Sequence, residues 1–308
     1  MDTIVLKLNS EQAWNVDFLA EIPARLSNIS QHDYGNGLVI AGKLGNMRVV
    51  VRETGIKIEN SLAKYLLGNN IERMRLSDNK RAIEKLSDEL NLPLHNGLIT
   101  RFDYALNIEV REEVESYLPY LGDLGRYQRY ESKRGLNYKT APREIAIYDK
   151  IAEMKKRREP IAPYYIGKNM MRIEKRYLLN ASKYFNRSEI KASDLYDEAF
   201  CLQVMDDWLN DYLRIKKLKN TLIDMRKTTT IKELYSIGVL ALVQLQGGEL
   251  AALSHVQERQ RRGELTRKQA YDFKNAIRAS SKLELVSKDN ELIKELDEKV
   301  KEAVNYYR

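Results

Sequence analysis

The residues best suited to chemistry lie in three short stretches of this 308-residue chain: ITRFDYALN (99–107), REIAIYDK (143–150) and MMRIEKRY (170–177). In the first, Arg101, Asp103, Ala105 and Asn107 alternate with Phe102, Tyr104, Leu106 and Ile108, the period of a half-buried strand. One face packs and the other carries Arg101 and Asp103. In the third, Arg172 and Glu174 share a face against Met171 and Ile173, and IKIE (56–59) repeats the arrangement with Lys57 and Glu59. Between them, Ala146, Tyr148 and Lys150 fall on the face opposite Ile145 and Ile147. On a shared sheet these polar faces gather carboxylates, guanidinium groups, an ammonium and a phenol, an inventory suited to cutting a phosphodiester.

The elements that must position them follow from the flanking sequence. A charged helix over 149–158 begins just after Tyr148 and stops at Pro160, which places the phenol at a strand-to-helix junction. After Glu59 the chain enters a short helix capped by Asn60 or Ser61 and ended near Gly68. Residues 77–90 form an amphipathic helix with Ile83, Leu86 and Leu90 at helical spacing, ended by Pro93, and the central strand starts at Ile99. Residues 1–51 alternate and turn as short edge strands. Residues 112–120 read as a helix. Residues 122–140 read as a basic, tyrosine-rich connector in which Arg129, Lys133 and Arg134 either grip a single strand between stacking tyrosines or lie on a plain surface loop.

Beyond residue 188 strand signals vanish, and five helices follow over 193–216, 230–246, 249–262, 266–281 and 290–307. The expected fold is therefore α+β: an N-terminal domain, 1–187, with a mostly antiparallel sheet covered by helices on one face, then an all-helical domain, 188–308. Eight basic residues between Arg259 and Lys282, Arg267 and Lys268 among them, face only Glu264 and Asp272. Two helices joined at Gly263 suit a helix-turn-helix with 266–281 in a DNA groove, against the plainer reading of a solvated basic face.

The net charge of +8 suits a polyanionic partner. The single cysteine, Cys201, excludes a disulfide framework within the chain and a cysteine-based zinc site. Without a secretory leader or a run of about 18 apolar residues, the expectation is a cytoplasmic protein of a host bacterial cell with no membrane partner.

In the order IKIENSLAKYLLGNN, ITRFDYALN, REIAIYDKIAE and MRIEKRYL, over about residues 55–180, the chain resembles the filamentous-phage replication initiators, the gene II/X-type nicking and joining proteins, with relatives on small plasmids. The resemblance implies a site-specific nickase that starts rolling-circle replication through a tyrosine, leaving a 5′-phosphotyrosyl link and a free 3′-hydroxyl, and later rejoins the strand. Its Tyr-x-Lys segment falls on Tyr148-Asp149-Lys150, and its acidic positions fall on Asp103, Glu174 and Glu59. The histidine-hydrophobe-histidine metal motif of many rolling-circle nickases is absent, since His32, His95 and His255 are isolated from one another. Carboxylate ligands would suit Mg²⁺ or Mn²⁺ instead.

The expected roles are Tyr148 as nucleophile with Tyr138 second, Lys150 as electrostatic aid, Asp103, Glu59 and Glu174 as metal ligands, and Arg101, Arg172 and Lys57 as phosphate contacts. Each basic-acid pair taken alone reads first as a cross-strand salt bridge, and three of them near one tyrosine reverse that reading. Origin DNA, a host helicase and a polymerase are the implied partners, and the helical part would allow a homodimer. A nickase of mobilisation or transposition shares the chemistry, whereas a non-catalytic origin-binding regulator, or an RNA-binding protein, would bind without cutting.

Overall fold

The computed structural model describes the chain apart from residues 34, 36, 219, 222–229, 281–286, 289 and 306–308. The chain forms two compact units. Met1–Glu115, Asp123–Arg214 and Lys299–Arg308 make the first; Ser116–Gly122 and Ile215–Glu298 make the second.

Ten strands of the first unit form one antiparallel sheet: β1 (Thr3–Asn9), β2 (Ser27–Asp33), β3 (Leu38–Leu44), β4 (Met47–Arg52), β5 (Gly55–Ser61), β6 (Leu98–Val110), β7 (Gln128–Ser132), β8 (Gly135–Lys139), β9 (Arg143–Asp149) and β10 (Asn169–Tyr177). Their spatial order is β2-β3-β4-β5-β1-β6-β10-β9-β8-β7. The helices of this unit are α1 (Phe18–Glu21), α2 (Leu62–Leu67), α3 (Leu76–Leu90), α4 (Lys150–Lys156), α5 (Ala181–Tyr184) and α6 (Glu198–Arg214). The architecture is α+β, as the alternation of the strands and the composition shift toward the C-terminus imply.

One face of the sheet is apolar and covered. Ile4, Leu6 and Leu8 of β1, Ile56 and Ile58 of β5, Phe102 of β6 and Tyr177 of β10 join one core with Ala82, Ile83, Leu86 and Leu90 of α3 and Phe200 and Val204 of α6. The period-2 strand pattern and the period-3.6 helix pattern thus meet in the same layer. Trp208 of α6 lies edge-on to Tyr104 at 6.0 Å between centroids and donates its indole N–H to the Ile173 carbonyl at 3.2 Å. Lys175, fully buried on this face, is neutralised by Asp207 at 2.5 Å and Asp211 at 2.6 Å.

Several details depart from the sequence reading. β1 is not an edge strand; it lies between β5 and β6, where its apolar residues fill the centre of the core. Gly55 marks how close that pairing is: its φ is +151°, and a side-chain carbon placed on it would lie only 2.3 Å from the Leu8 carbonyl oxygen. Residues 112–120 form two 3₁₀ turns, Val114–Ser116 and Leu118–Tyr120, rather than a helix. The tyrosine-rich connector is largely the β7–β8 hairpin, and the chain's first unit runs on past residue 188 to Arg214.

The second unit contains β11 (Asn220–Thr221), α7 (Ile231–Leu245), α8 (Glu249–Arg261), α9 (Arg267–Ser280) and β12 (Ser287–Lys288); α10 (Glu291–Asn305) follows. β11 and β12 pair, so this unit is helical with one minimal antiparallel ladder. Val243, Ala252, Val256, Leu265, Ala270 and Ile277 form a core among α7, α8 and α9. The Thr230 hydroxyl caps α7 at the Glu233 N–H, and the Glu233 carboxylate returns the bond to the Thr230 N–H. Thr266 and Gln269 make the corresponding exchange at the start of α9.

Candidate active site

The face of β6, β10 and β9 turned away from the α3–α6 core is a largely buried grid of polar side chains set by strand register. Asn107, Arg172 and Tyr148 are direct neighbours across the three strands; Ala105, Glu174 and Ala146 form the next row; Asp103, Arg176 and Glu144 form the third. Glu174 is the one large side chain of its row, because alanines flank it on both sides. Its carboxylate is where the grid converges. Tyr148 donates its hydroxyl to Oε2 at 3.0 Å, Arg172 Nε donates to the same oxygen at 2.9 Å, and Arg176 Nε donates to Oε1 at 2.6 Å.

Arg172 is 2% exposed and fully engaged. Besides Glu174 it donates to the Asn70 carbonyl at 3.0 Å, to Asn107 Oδ1 at 3.1 Å and to the Asp2 carboxylate. Asp2 in turn accepts from Ser61 Oγ at 2.5 Å and from the Asn70 amide at 3.2 Å. Asn107 closes the arrangement by donating to the Asn70 and Ile71 carbonyls at 3.0 and 2.8 Å. This fixes the segment after α2 over the part of β6 that runs beyond β1. A chain of buried bonds therefore leads from the end of β1 through Arg172 to the phenol of Tyr148.

The electrostatics follow from this geometry. Burial alone would raise the Glu174 carboxyl, but Arg172 and Arg176 outweigh it and hold it at about 2. Burial raises the Tyr148 phenol well above 10; Arg172 opposes the rise, while Glu174 and Glu153 add to it. The phenol is thus protonated and aimed at a permanent carboxylate. Asp103 is pushed up to about 6, first by burial and then by the nearby Glu174 charge, against the pull of Arg101. Lys150 is shifted down, by burial and by Arg172, although Glu153 holds its ammonium at 2.6 Å.

The expected residues separate on this map. Tyr148, Glu174 and Arg172 are brought together, with Asp103 on the adjoining strand. Arg172 faces inward as a clamp, bonded to Glu174, Asn70, Asn107 and Asp2 and 2% exposed, because it is buried between three strands and the segment after α2. Arg101 grips Asp103 with two bonds, at 3.2 and 2.9 Å. Glu59 is paired with Arg48 at 2.7 Å and with Lys57, and those partners hold its carboxyl low although burial acts the other way. Lys57 is therefore an ion-pair partner. Tyr138 is fully buried in β8 and unavailable as a nucleophile.

In the β7–β8 hairpin Arg129 pairs with Glu131 at 2.8 Å, and Lys133 and Arg134 are exposed at the turn. Arg267 and Lys268 are exposed in the first turn of α9. Lys282 lies outside the described residues.

The three acids do not fit a shared cation as they are held. Every oxygen of Asp103 and Glu174 faces a guanidinium or phenol donor, and Glu59 stands two strand spacings, about 10 Å, from β6. Among the described residues no group of three His, Cys, Asp or Glu side chains gathers for a metal. What the arrangement does supply is an oriented phenol, a fixed anion and two partly exposed guanidinium groups, Arg101 and Arg176.

Asp2, Arg176 and Asn70 were missed in sequence. Arg176 continues the alternation of Arg172 and Glu174 and was legible there. Asp2 and Asn70 carried no signal, since a buried strand insertion and the segment after α2 bring them to the site.

The fold and this grid describe a polar site of arginines, carboxylates and a phenol on the face of an antiparallel sheet opposite its main core, groups of the kind that handle a phosphodiester backbone. A family model for the N-terminal part of the phage replication-associated protein encoded by gene II matches residues 33–215. The chain belongs to that family, the filamentous-phage gene II replication initiators. No curated protein matches it. The match takes in β3 to β10 and the whole of the Tyr148–Glu174–Arg172 cluster. The family role is the initiation of rolling-circle phage replication. Among the described residues, no single helix is long and apolar enough to cross a membrane.

Proposed function

We propose that the protein starts rolling-circle replication by cutting one strand of origin DNA with Tyr148 and afterwards rejoins it. The observation that carries this reading is the Tyr148 hydroxyl held at 3.0 Å from Glu174, at the junction of β9 and α4. The phenol oxygen bonds to phosphorus as the bond to the 3′-oxygen breaks. The phenol gives up its proton to solvent as it attacks, and the departing 3′-oxygen takes one from solvent to become a free hydroxyl. Glu174, its carboxyl held at about 2, stays ionised and only accepts the hydrogen bond that aims the phenol. The link conserves the phosphodiester's energy, so reversal reseals the strand. Because the phenol is held protonated, its deprotonation accompanies attack rather than preceding it.

Glu174 orients the phenol, Arg172 fixes Glu174, and the half-exposed Arg176 and Arg101 supply charge toward the phosphate. A divalent cation, if the reaction employs one, neutralises phosphate charge as the bond forms. Asp103, Glu174 and Glu59, held in ion pairs with Arg101, Arg172, Arg176, Arg48 and Lys57, would have to exchange those partners to hold it. In the second unit, α9 presents Arg267, Lys268, Tyr271 and Arg278 to solvent behind the turn at Gly263, an arrangement suited to flanking duplex DNA.

The test is a covalent adduct. The protein is incubated with DNA carrying the origin of its own element, with and without Mn²⁺, and resolved on a denaturing gel. An adduct that disappears in Tyr148→Phe, with duplex binding retained, supports the reading. Persistence of the adduct in that variant overturns the assignment of Tyr148. Tight origin binding with no adduct under any condition favours a non-catalytic regulator.

A further inference from the structure

We propose that α7 is the seam of a homodimer, in which the helices of two copies of this chain pack antiparallel about Gly238. α7 is apolar on two opposite sides. Ile237, Leu240 and Val243 are buried, whereas Ile231, Tyr235, Leu242 and Leu245 are 73, 74, 63 and 81% exposed and Leu234 is 44% exposed. At 100° per residue these five and Gly238 fall within an arc of about 100°, opposite the buried side. An apolar stripe of this size left exposed beside a buried one calls for a cover.

The stripe is complementary to itself. A two-fold axis at Gly238 sets Ile231 against Leu245 of the second copy, Leu234 against Leu242, and the large Tyr235 against the small Ala241. Gly238 meets its own counterpart, and a side-chain carbon built on it finds nothing within 4 Å. The centre of the stripe is therefore open to close approach by another helix. Such a self-matched order is the requirement of an isologous contact. At about 200 Å² for a fully exposed side chain of this size, the five fractions amount to about 700 Å² per copy, close to the ~800 Å² per partner of a stable interface.

Charge and burial favour a second copy over other occupants. The chain carries +8 overall, yet none of the six stripe residues is charged, so two copies meet there without like-charge repulsion. A partner selected by charge would find no ion to pair with along it. α7 and α8 together pass a membrane-span test by length and composition as a pair bent by 86°. But the far side of α7 is buried in protein and α8 ends in exposed Arg261 with Arg262 beside it, which leaves no apolar circumference for lipid.

The experiment is sedimentation of the full-length chain over about 1–50 μM, the range in which an interface of this size associates. Wild type is expected to be dimeric at the upper end, and Leu242→Lys to weaken the association at least tenfold with unchanged circular dichroism. In a Cys201→Ser background, Gly238→Cys is expected to form a disulfide-linked dimer on mild oxidation. Lys232→Cys, about 120° around the helix from Gly238, is not. A wild-type monomer throughout, including one that instead binds lipid vesicles, overturns the proposal. So does a dimer indifferent to Leu242→Lys, or equal cross-linking at both cysteines.

Discussion

Replacing Arg172 by methionine tests whether the site is built around one buried cation. The side chain is 2% exposed and serves Glu174, Asp2, Asn70 and Asn107 at once. Removing it strands two buried carboxylates, a loss of about 3–5 kcal/mol for a broken buried pair. A second route to the magnitude runs through Glu174, whose carboxyl is held at about 2 against an ordinary 4.5. That depression corresponds to roughly 3 kcal/mol of stability. The sign is that of a lowered acid: the stability is present above pH 4.5 and is lost as pH falls through about 2.

The destabilisation in Arg172→Met should therefore shrink by about 2 kcal/mol between pH 7 and pH 3. Urea unfolding followed by tryptophan fluorescence reads it, because Trp208 is buried in the same unit while Trp14 is 74% exposed. A penalty below about 1 kcal/mol at pH 7, or one that does not change with pH, would refute the clamp.

Asp103 should show the opposite pH dependence. With its carboxyl raised from 3.8 to about 6, stability from its protonated form is complete below 3.8 and lost as pH rises through 6. Wild type should lose about 2 kcal/mol from this group between pH 4.5 and pH 7, and Asp103→Asn should flatten that slope; identical pH profiles would contradict the assignment. Gly55→Ala should destabilise the first unit by about 2 kcal/mol or more, since the position combines a positive φ with a 2.3 Å approach to the Leu8 carbonyl. A thermal midpoint unchanged from wild type would show that β1 and β5 part easily there.

Much of the site was legible because a strand's period of two is a local property. Arg101, Asp103, Arg172, Glu174 and Tyr148 were assigned to polar faces from alternation alone, and strand register does set them on one shared face, opposite the main apolar core, although most of that face is buried rather than open. The helix limits were legible for a similar reason: Ser61 caps α2 and accepts the Lys64 N–H, Gly68 ends it at φ +77°, and α3 buries Ile83, Leu86 and Leu90. Caps and periodicities involve neighbours within a few residues, so sequence alone determines them.

Strand order was decided elsewhere. That β1 enters between β5 and β6 depends on which edges find apolar partners across the whole sheet, and this one choice brings Asp2 to Arg172. The same long-range register separates Glu59 from Asp103 and Glu174, although all three share the basic-x-acid pattern that suggested one metal site. It also buries Tyr138 in a hairpin where tyrosine-rich, basic composition pointed to a loop. Alternation tells which face a side chain takes; only tertiary pairing tells which side chains on that face are neighbours. Chemistry depends on the neighbours, because hydrogen bonds and buried charges act over a few ångströms rather than along the sequence.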